Sequence, residues 1–412
     1  MMPLWWSRPC RASSRRVSAV RIAHLQVDAA KAELRQAKGS LFPSLELRAE
    51  GETQRHHTNE KSDDNENENI IVKNDNFVVG PEVSWEIDIF GKMQNARKAA
   101  VATVEERQAY AQAVRVELIA TIATSYYQLE MLDAQIADTR EIIGSWEESI
   151  RVQKALMAVG EATSDEVAQM EASCLEAEEH LEELQMQMRQ TEHALCTVLG
   201  RYSNGIERGD FHTSAQLLKP TVGVPLQALA QRPDVRQAEA ALKSAFYLTN
   251  EARAAFYPSL TIGGQVGWGH NADNDVSLSG LLTRAFGSLT MPIFAQGRLK
   301  AELRKAKAEQ EAARINFQQA VINASQEVND ILANQQFALK AVSQNEQRIE
   351  KLNHVLQVTE VRMKYESEVN FLQVLLARQS LLEARLSLIE NRYHLVESYI
   401  QLYRALGGGL TE

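Results

Sequence analysis

Two long stretches without proline limit what this 412-residue chain can fold into. No proline lies between Pro81 and Pro220, and none follows Pro292. Because proline removes a helical hydrogen bond and clashes with the preceding turn, both stretches can be helical throughout. In the second stretch, apolar and small residues recur at coiled-coil spacing, at Val321, Val328, Val342, Ile349 and Leu356 on one heptad position and at Ala324, Ile331, Ala338 and Leu352 on its partner. The sequence therefore predicts long helices that pack along their length.

Each stretch contains one place where the helix can turn back. The first is Gly160, followed by Thr163 or Ser164 as a helix N-cap, and the second lies near Ser367 to Asn370. Each stretch then forms a helical hairpin, at about 92–200 and about 298–406. The longer arms would extend on the order of 100 Å at about 1.5 Å per residue, which no ordinary globular domain needs.

The two halves of the chain repeat each other. Residues 198–200 (Val-Leu-Gly) recur as residues 405–407 (Ala-Leu-Gly), and residues 42–45 (Phe-Pro-Ser-Leu) recur as residues 257–260 (Tyr-Pro-Ser-Leu). Such self-similarity is typical of a duplicated structural unit. We expect an atypical basic N-terminus and two structural repeats, at residues 1–19, 20–219 and 220–412.

Each repeat also contains two segments in which apolar and polar residues alternate, at about 43–54, 77–90, 258–269 and 285–294. This alternation predicts β-strands, and about ten residues suffice for a tilted strand to cross a bilayer. The apolar side carries Trp85 and Trp268, which are either girdle residues at a membrane interface or core aromatics of a soluble sheet. The polar side carries Glu46, Glu50, Glu82, Glu86 and Asp88. The polar stretches 56–76 and 270–279 are expected to be loops in water.

Four strands cannot close a barrel, because the smallest filled barrel needs about eight strands. Strands facing lipid would then have unpaired edges in hydrocarbon, so the chain must form oligomers if it lies in a membrane. Three copies would supply twelve strands. The five carboxylates would line the lumen and favour the passage of cations over anions.

Composition and motifs exclude several other classes of function. The net charge of -10 argues against a nucleic-acid-binding surface. There is no phosphate-binding loop, no His-Glu-x-x-His and no run of 18 apolar residues, so we expect no enzyme, no cofactor, no metal and no transmembrane helix. The pair His56–His57 is expected to be plain loop, the glycines at 263, 264, 267 and 269 to be small wall residues, and Cys10, Cys174 and Cys196 to be free thiols.

The most specific motifs are Gln231–Glu239 (QRPDVRQAE) and Ala252–Leu260 (ARAAFYPSL), with strand-to-helix junctions at Trp85–Gly91 and Pro292–Arg298. On these residues the chain, from about Val20 to Leu410, resembles the outer-membrane efflux protein family, the TolC-like outer-membrane factors of resistance-nodulation-division pumps. The resemblance implies a mainly α-helical homotrimer with a periplasmic α-barrel and a twelve-stranded β-barrel in the lipid bilayer of the cell outer membrane. It implies a passive exit duct for small toxic compounds or drugs, whose periplasmic iris is engaged by a periplasmic adaptor protein and an inner-membrane pump.

The resemblance also assigns residues at the inner tip. Gly160 and Ser367 mark the tip turns that would contact the adaptor. Leu372 matches a leucine common in the family's iris, whereas Leu376 and Gln379 stand where an aspartate and an arginine are common. We therefore expect a ring of apolar contacts from Leu372 and Leu376, with Arg378 and Gln379 nearby, in place of an ionic latch.

The N-terminus departs from the family pattern. Val20-Arg21 corresponds to Val235-Arg236, but the residues before the two pairs are unrelated, and Cys10 is not in the context of a lipidated cysteine. The sequence predicts a truncated first helix and a missing export signal. Two alternatives remain open for the whole chain, the duct of a one-step protein secretion system and a soluble coiled-coil scaffold.

Overall fold

A computed structural model describes residues 18–61, 67–202, 205–209, 211, 229–270, 280–365 and 371–408. At residues 52, 54–61, 67–76, 270, 280, 282, 363–365, 371 and 372 it describes the backbone alone. The elements follow in the order α1 (Ser18–Gly39), β1 (Ser44–Lys61), β2 (Asn67–Ile87), α2 (Lys92–Ala158), α3 (Ser164–Leu199), α4 (Pro233–Ala254), β3 (Ser259–His270), β4 (Gly280–Thr290), α5 (Arg298–Tyr365) and α6 (Phe371–Ala405). Each half therefore contains a short helix, two strands, a long helix and a helix about half as long.

The long helices confirm the two helical stretches that the sequence predicts. α2 has 67 residues and α5 has 68, and α3 and α6 have 36 and 35. Along α5 one heptad position is deeply buried, at Ala324, Ile331 and Ala338, as a packed seam requires. The other heptad position is less regular, because Val328 is buried but Val321 is exposed.

The turn between α2 and α3 lies at Gly160, as predicted. Gly160 has a φ of +81°, a left-handed conformation that glycine adopts without a steric penalty. Thr163 then begins α3 with a capping box. The Glu166 amide donates to Thr163 Oγ1 at 3.4 Å, and the Thr163 amide donates to Glu166 Oε2 at 3.1 Å. The corresponding turn in the second half, at residues 366–370, lies outside the described residues.

The four strands form one antiparallel sheet in the order β1-β2-β3-β4. β1 pairs with β2 from Ser44↔Ser84 to Lys61↔Asn67, and β3 pairs with β4 from Ser259↔Thr290 to Gly269↔Gly280. The central pair, β2 with β3, joins the two halves of the chain and runs from Phe77↔His270 to Ile87↔Leu260. Among the described residues, β1 and β4 each have a neighbour on one side only.

The β1–β2 hairpin is longer than the sequence predicts. The expected loop at 56–76 is mostly strand, because β1 continues to Lys61 and β2 begins at Asn67. In β1 the apolar alternation stops near Gly51, and residues 52–61 include no apolar residue. This part of the sequence has no alternation of apolar and polar residues, so the prediction ended the strand too early.

The other strand ends also differ from the expected positions. β2 ends at Ile87 and β4 at Thr290, before the predicted ends at 90 and 294, and β4 begins at Gly280, before the predicted start at 285. Pro292 has no amide hydrogen to donate to a ladder, which explains the early end of β4. After β2 the chain turns at Gly91, with a φ of +74°, and enters α2.

Contacts divide the chain into two compact units, each assembled from both repeats. The first comprises Met1–Leu25, Ala109–Arg236 and Gln319–Glu412, and the second comprises Gln26–Gln108 and Gln237–Gln318. The apolar core of the first lies between its helices, where Leu129, Leu132, Leu195 and Val396 are almost completely buried. Its two described cysteines, Cys174 and Cys196, are buried free thiols, as predicted, and Cys10 lies outside the described residues.

The second unit contains the sheet and the helix segments that adjoin it. Here α4 is tied to α2 by a hydrogen bond of 3.2 Å between the hydroxyls of Thr103 and Ser244, and to α5 by Thr249, which donates to Ala306 O at 3.1 Å. Ala99 and Ala102 are buried, so α2 can approach its neighbours closely. None of the helices in the described ranges is both long and apolar enough to cross a membrane.

Candidate functional site

One face of the sheet is apolar and open to the surroundings. The strand register places Leu45, Leu47, Val83, Trp85, Ile262, Val266, Trp268, Leu281 and Leu289 on this face, which we call the apolar face. All of these side chains are exposed, Leu47 at 81% and Trp268 at 60% of its surface. An exposed apolar surface of this extent is typical of contact with lipid or with another protein.

The two tryptophans of the apolar face lie at different heights. Trp268 pairs with Val79 near the C-terminal end of β3, whereas Trp85 pairs with Ile262, six residues nearer the start of β3. The indole N–H of Trp85 donates to Leu41 O at 3.0 Å, just before β1 begins. Further exposed side chains follow where the strands join the helices, at Phe42, Ile89, Phe90, Tyr257, Met291, Ile293 and Phe294, and the rings of Phe90 and Tyr257 stack at 4.8 Å.

The opposite face of the sheet, which we call the polar face, carries four of the five predicted carboxylates, Glu46, Glu50, Glu82 and Glu86. Two arginines lie among them. Arg48 is 3.3 Å from Glu82 and 3.6 Å from Glu50, and Arg284 is 4.0 Å from Glu50. These ion pairs offset part of the negative charge that the sequence analysis expected on this face.

The carboxylates of Glu86 and Asp88 make contacts where the sheet joins α2. Lys92 lies 3.7 Å from Glu86. Asp88 follows the last residue of β2, and its carboxylate accepts the backbone N–H of Gln94 at 2.7 Å. Asp88 therefore acts as a cap for the start of α2, a role that the sequence analysis did not assign to it.

Glycines let the central strands approach closely on the polar face. A Cβ atom at Gly80 would lie 2.1 Å from Val266 O, one at Gly267 would lie 2.6 Å from Val79 O, and one at Gly269 would lie 1.9 Å from Phe77 O. The register of β2 with β3 is interrupted between Val79 and Glu82, at Gly80 and Pro81, and Pro81 has no amide hydrogen to donate. Close approach of the backbones in the sheet thus explains Gly80, Gly267 and Gly269.

At the tip of the first hairpin, the turn at Gly160 is fixed by contacts between α2 and α3. Gln153 donates to Glu166 Oε2 at 3.2 Å, and Lys154 lies 2.6 Å from Glu171. Gly160 itself is exposed. The other predicted tip residue, Ser367, lies outside the described residues, as does the side chain of Leu372.

The remaining three residues of the predicted iris lie on α6. Leu376 is exposed, and Gln379 lines a cavity of about 490 Å³ between α2, α3 and α6, beside Trp146. Arg378 contacts two neighbouring helices. Its guanidinium donates to Ser149 Oγ of α2 at 2.5 Å and to Glu360 Oε1 of α5 at 2.9 Å. Arg378 thus joins three helices.

A buried arginine organises the first unit at the start of α4. Arg232 is only 7% exposed and donates to Asp234 Oδ2 at 2.8 Å, to Glu327 Oε2 at 2.5 Å and to Ala405 O at 2.9 Å. Arg404 extends the network, since it donates to Glu327 Oε1 at 2.7 Å and lies 3.3 Å from Glu117. The Gln-Arg-Pro-Asp motif of the sequence thus supplies the centre of this network.

The charge of Arg232 changes the acidity of its partner. Burial favours the neutral form of Asp234, but the hydrogen bond and the positive charge of Arg232 outweigh this effect and lower the pKa of Asp234. The carboxylate is therefore stabilised in the folded state. Within the described ranges, no group of three His, Cys, Asp or Glu side chains is arranged to hold a metal ion.

An exposed apolar face, a polar face opposite it and long helices that continue from the same sheet are typical of a protomer of a membrane channel. A model of the outer membrane efflux protein family matches residues 12–201 and 224–408, and the chain belongs to this family. Its localisation is the cell outer membrane, with the helices extending into the periplasm.

Relatives cover nearly the whole chain. The cation efflux system protein CusC of Escherichia coli is 28% identical over 400 residues, which is 95% of this chain and 84% of the relative. The toluene efflux pump outer membrane protein TtgC of Pseudomonas putida is 27% identical, covering 95% of this chain and 81% of the relative. A crystal structure of CusC matches with a TM-score of 0.85 and 26% identity over 97% of this chain and 91% of that one.

The lowered pKa of Asp234 predicts a pH dependence of stability. A carboxylate whose folded-state pKa lies below its ordinary value of about 3.9 stabilises the fold above that pH, and the contribution is lost as the pH falls through the folded-state pKa. At pH 6 we expect Asp234→Asn to lower the free energy of unfolding by about 1 kcal/mol, a value reduced for the exposed half of this side chain. At pH 2.5 the two proteins should differ less. Urea titration followed by helical circular dichroism measures both values, and an equal difference at the two pH values would refute the assignment.

Proposed function

We propose that three copies of this chain form the outer-membrane exit duct of a tripartite efflux pump, through which small toxic compounds leave the cell passively. The apolar face would contact lipid, and the polar face would line the lumen. The observation that carries the proposal is the sheet with one exposed apolar face and one ion-paired polar face, whose outer strands β1 and β4 each have one unpaired edge in the described part of the chain.

The edge strands support the oligomer. β1 and β4 each expose one row of backbone N–H and C=O groups in the described part of the chain. In hydrocarbon each unpaired group costs several kcal/mol, so a lipid-facing sheet requires both edges to be paired. Pairing β4 of one copy with β1 of the next would satisfy both edges at once, and three copies of four strands would close a barrel wide enough for water.

The dimensions of the apolar face support a location in the bilayer. On β3 this face extends from Leu260 to Trp268, which at about 3.3 Å per residue is about 26 Å along the strand. Strands in such barrels are tilted by about 35–45°, so this segment covers about 20 Å of the roughly 25 Å apolar band. The exposed side chains at the strand–helix junctions, including Tyr257 and Phe294, continue the band at its periplasmic side.

We propose a broad class of cargo, small toxic compounds, and no single compound. Relatives named for cation efflux and for toluene efflux are similarly close to this chain. We therefore assign selection of the cargo to the pump and not to the duct. On the polar face, Arg48 and Arg284 lie among the carboxylates, so we expect weaker cation preference than Glu46, Glu50, Glu82, Glu86 and Asp88 alone would give.

We propose that the periplasmic ends of the helical hairpins form the gate of the duct and the binding site for the periplasmic adaptor. Gly160 and Ser367 would mark the turns that a periplasmic adaptor contacts, and Leu372, Leu376, Arg378 and Gln379 would lie at the iris. Arg378 joins α6 to α2 and α5, so its contacts would have to break if these helices separate. A partly buried, charge-assisted contact of this kind would hold the helices together until a partner replaces it.

The membrane assignment predicts opposite responses on the two faces of β1. Leu47→Arg places a charge on the apolar face and should lower folding stability in lipid vesicles by about 2–4 kcal/mol near the bilayer midplane. The matched variant Glu46→Lys, on the polar face, should be tolerated. Urea titration in vesicles, followed by the heat-modifiable band, measures both. Equal and mild effects at the two positions would contradict the channel and favour a scaffold outside the membrane.

The gate assignment predicts a leak when the Arg378 contact is lost. Arg378→Ala should raise the ion conductance of the closed channel in planar bilayers severalfold without an adaptor, because α6 is then no longer tied to Ser149 and Glu360. Arg151→Ala, at an exposed position of α2, is the control and should conduct as the wild type does. If both variants keep the wild-type closed conductance, Arg378 is not part of the gate.

A further inference from the structure

Pairing of β2 with β3 brings α2 and α4 side by side within one chain, because α2 follows β2 and α4 precedes β3. The hydroxyls of Thr103 and Ser244 meet at 3.2 Å in this contact. One turn earlier, on the same sides of the two helices, Ala99 is 3% exposed and Ala240 is 4% exposed. The contact between α2 and α4 thus buries side chains on both helices.

α1 has the place in the first repeat that α4 has in the second. Both helices contain 22 residues and precede a strand, and their offset of 215 residues aligns Leu25 with Ala240 and Ala29 with Ser244. The burial is reversed, because Ala29 is exposed and Leu25 is 66% exposed. Exposed residues at heptad spacing continue along this side of α1, which we call the open stripe of α1 and which consists of Ile22, Leu25, Ala29, Ala32 and Gln36.

α5 is the counterpart of α2 in the second repeat. Aligning the first residues of the two helices gives an offset of 206 residues, which places Lys305 at the position of Ala99 and Ala308 at that of Ala102. Ala102 is 3% exposed, whereas Lys305 and Ala308 are both exposed. The same side of α5 is exposed at heptad spacing, and this open stripe of α5 consists of Ala301, Lys305, Ala308, Ala312 and Ile315.

Each open stripe lies on the side of its helix away from the residues that pack within the chain. On α1 the packed side carries the buried residues Ala23, Val27 and Ala30. On α5 the packed side carries Leu299, which is buried, and Ala306, whose carbonyl accepts a hydrogen bond from α4. A helix with a packed side and a second, mostly apolar side opposite to it is typical of a position between two neighbouring helices.

We propose that the open stripe of α5 packs against the open stripe of α1 in a second copy of this chain, with Ala308 beside Ala29 of that copy. The inference rests on the proposed pairing of β4 with β1 of the next copy, because α5 follows β4 and α1 precedes β1. Ala308 lies ten residues after the start of α5, and Ala29 lies ten residues before the end of α1. Both are therefore about 15 Å from the helix ends that adjoin the sheet. The contact repeats between copies what α2 and α4 do within one copy.

The two stripes run in opposite directions and match at other positions in the same register. Ile315 would meet Ile22 of the second copy, and removing both exposed side chains from water favours the contact. Lys305 would lie next to Glu33 of that copy, a residue of opposite charge. A second copy of this chain therefore covers the apolar side chains of the stripe and matches its charge.

Disulfide cross-linking tests the proposed register in the full chain, expressed behind a working signal peptide. The variant carries Ala29→Cys and Ala308→Cys, and the outer-membrane fraction is oxidised and run on denaturing gels without reductant. We expect the band to shift from the mass of one chain to that of three, because the Cβ atoms of a disulfide must lie about 3.8 Å apart. The matched control carries Ala29→Cys and Ala301→Cys, about 10 Å out of register on the same stripe, and should stay at one chain. Each single cysteine variant should also stay at one chain.

The mass of the same variants in detergent, before denaturation, separates this inference from the proposed duct. A mass of three chains without a cross-link between Ala29→Cys and Ala308→Cys would overturn the contact of α5 with α1 and leave the duct in place. Stronger cross-linking of the control pair would overturn the register. A mass of one chain without cross-links would overturn both the contact and the proposed duct.

Discussion

The backbone hydrogen bonds at the two edges of the sheet are the constraint on which the rest of the structure depends. β1 and β4 are outer strands in the described part of the chain, and the face they share is apolar and exposed. In water such a face would cause aggregation, and in lipid the open edges would be too costly to leave unpaired. In the proposed assembly, pairing between copies would satisfy the edges and lipid would cover the apolar face.

Local contacts fix the places where the strands of the sheet join the helices. Asp88 caps α2, Trp85 donates to the backbone before β1, and Pro292 ends β4 ahead of α5. Each of these three features lies where the backbone changes between strand and helix. In the other compact unit, Arg232 holds the start of α4 against α5 and α6 through charge-assisted hydrogen bonds, which are stronger than neutral ones. Removing one partner of such a buried network leaves the other charge uncompensated.

Local patterns in the sequence predicted the features that local chemistry determines. The two helical hairpins, the turn at Gly160, the Thr163 cap and the two faces of the sheet follow from spacing, glycine and alternation, and the structure has each of them. The second half of β1 could not be predicted, because residues 52–61 show no alternation of apolar and polar residues. The ion pairs of Arg48 and the contacts of Arg232 join residues far apart in sequence, and no local pattern reveals them. The predictions for Ser367 and Leu372 stay predictions.

The mass of the folded protein in detergent tests the central claim most directly. The chain is expressed behind a working signal peptide, the outer-membrane fraction is extracted, and the protein mass is determined by light scattering with correction for bound detergent. The account predicts a detergent-stable species of three chains that runs faster on gels before heating than after heating. A stable monomer with a folded sheet would contradict it, since the edges of β1 and β4 would then be satisfied without a second copy.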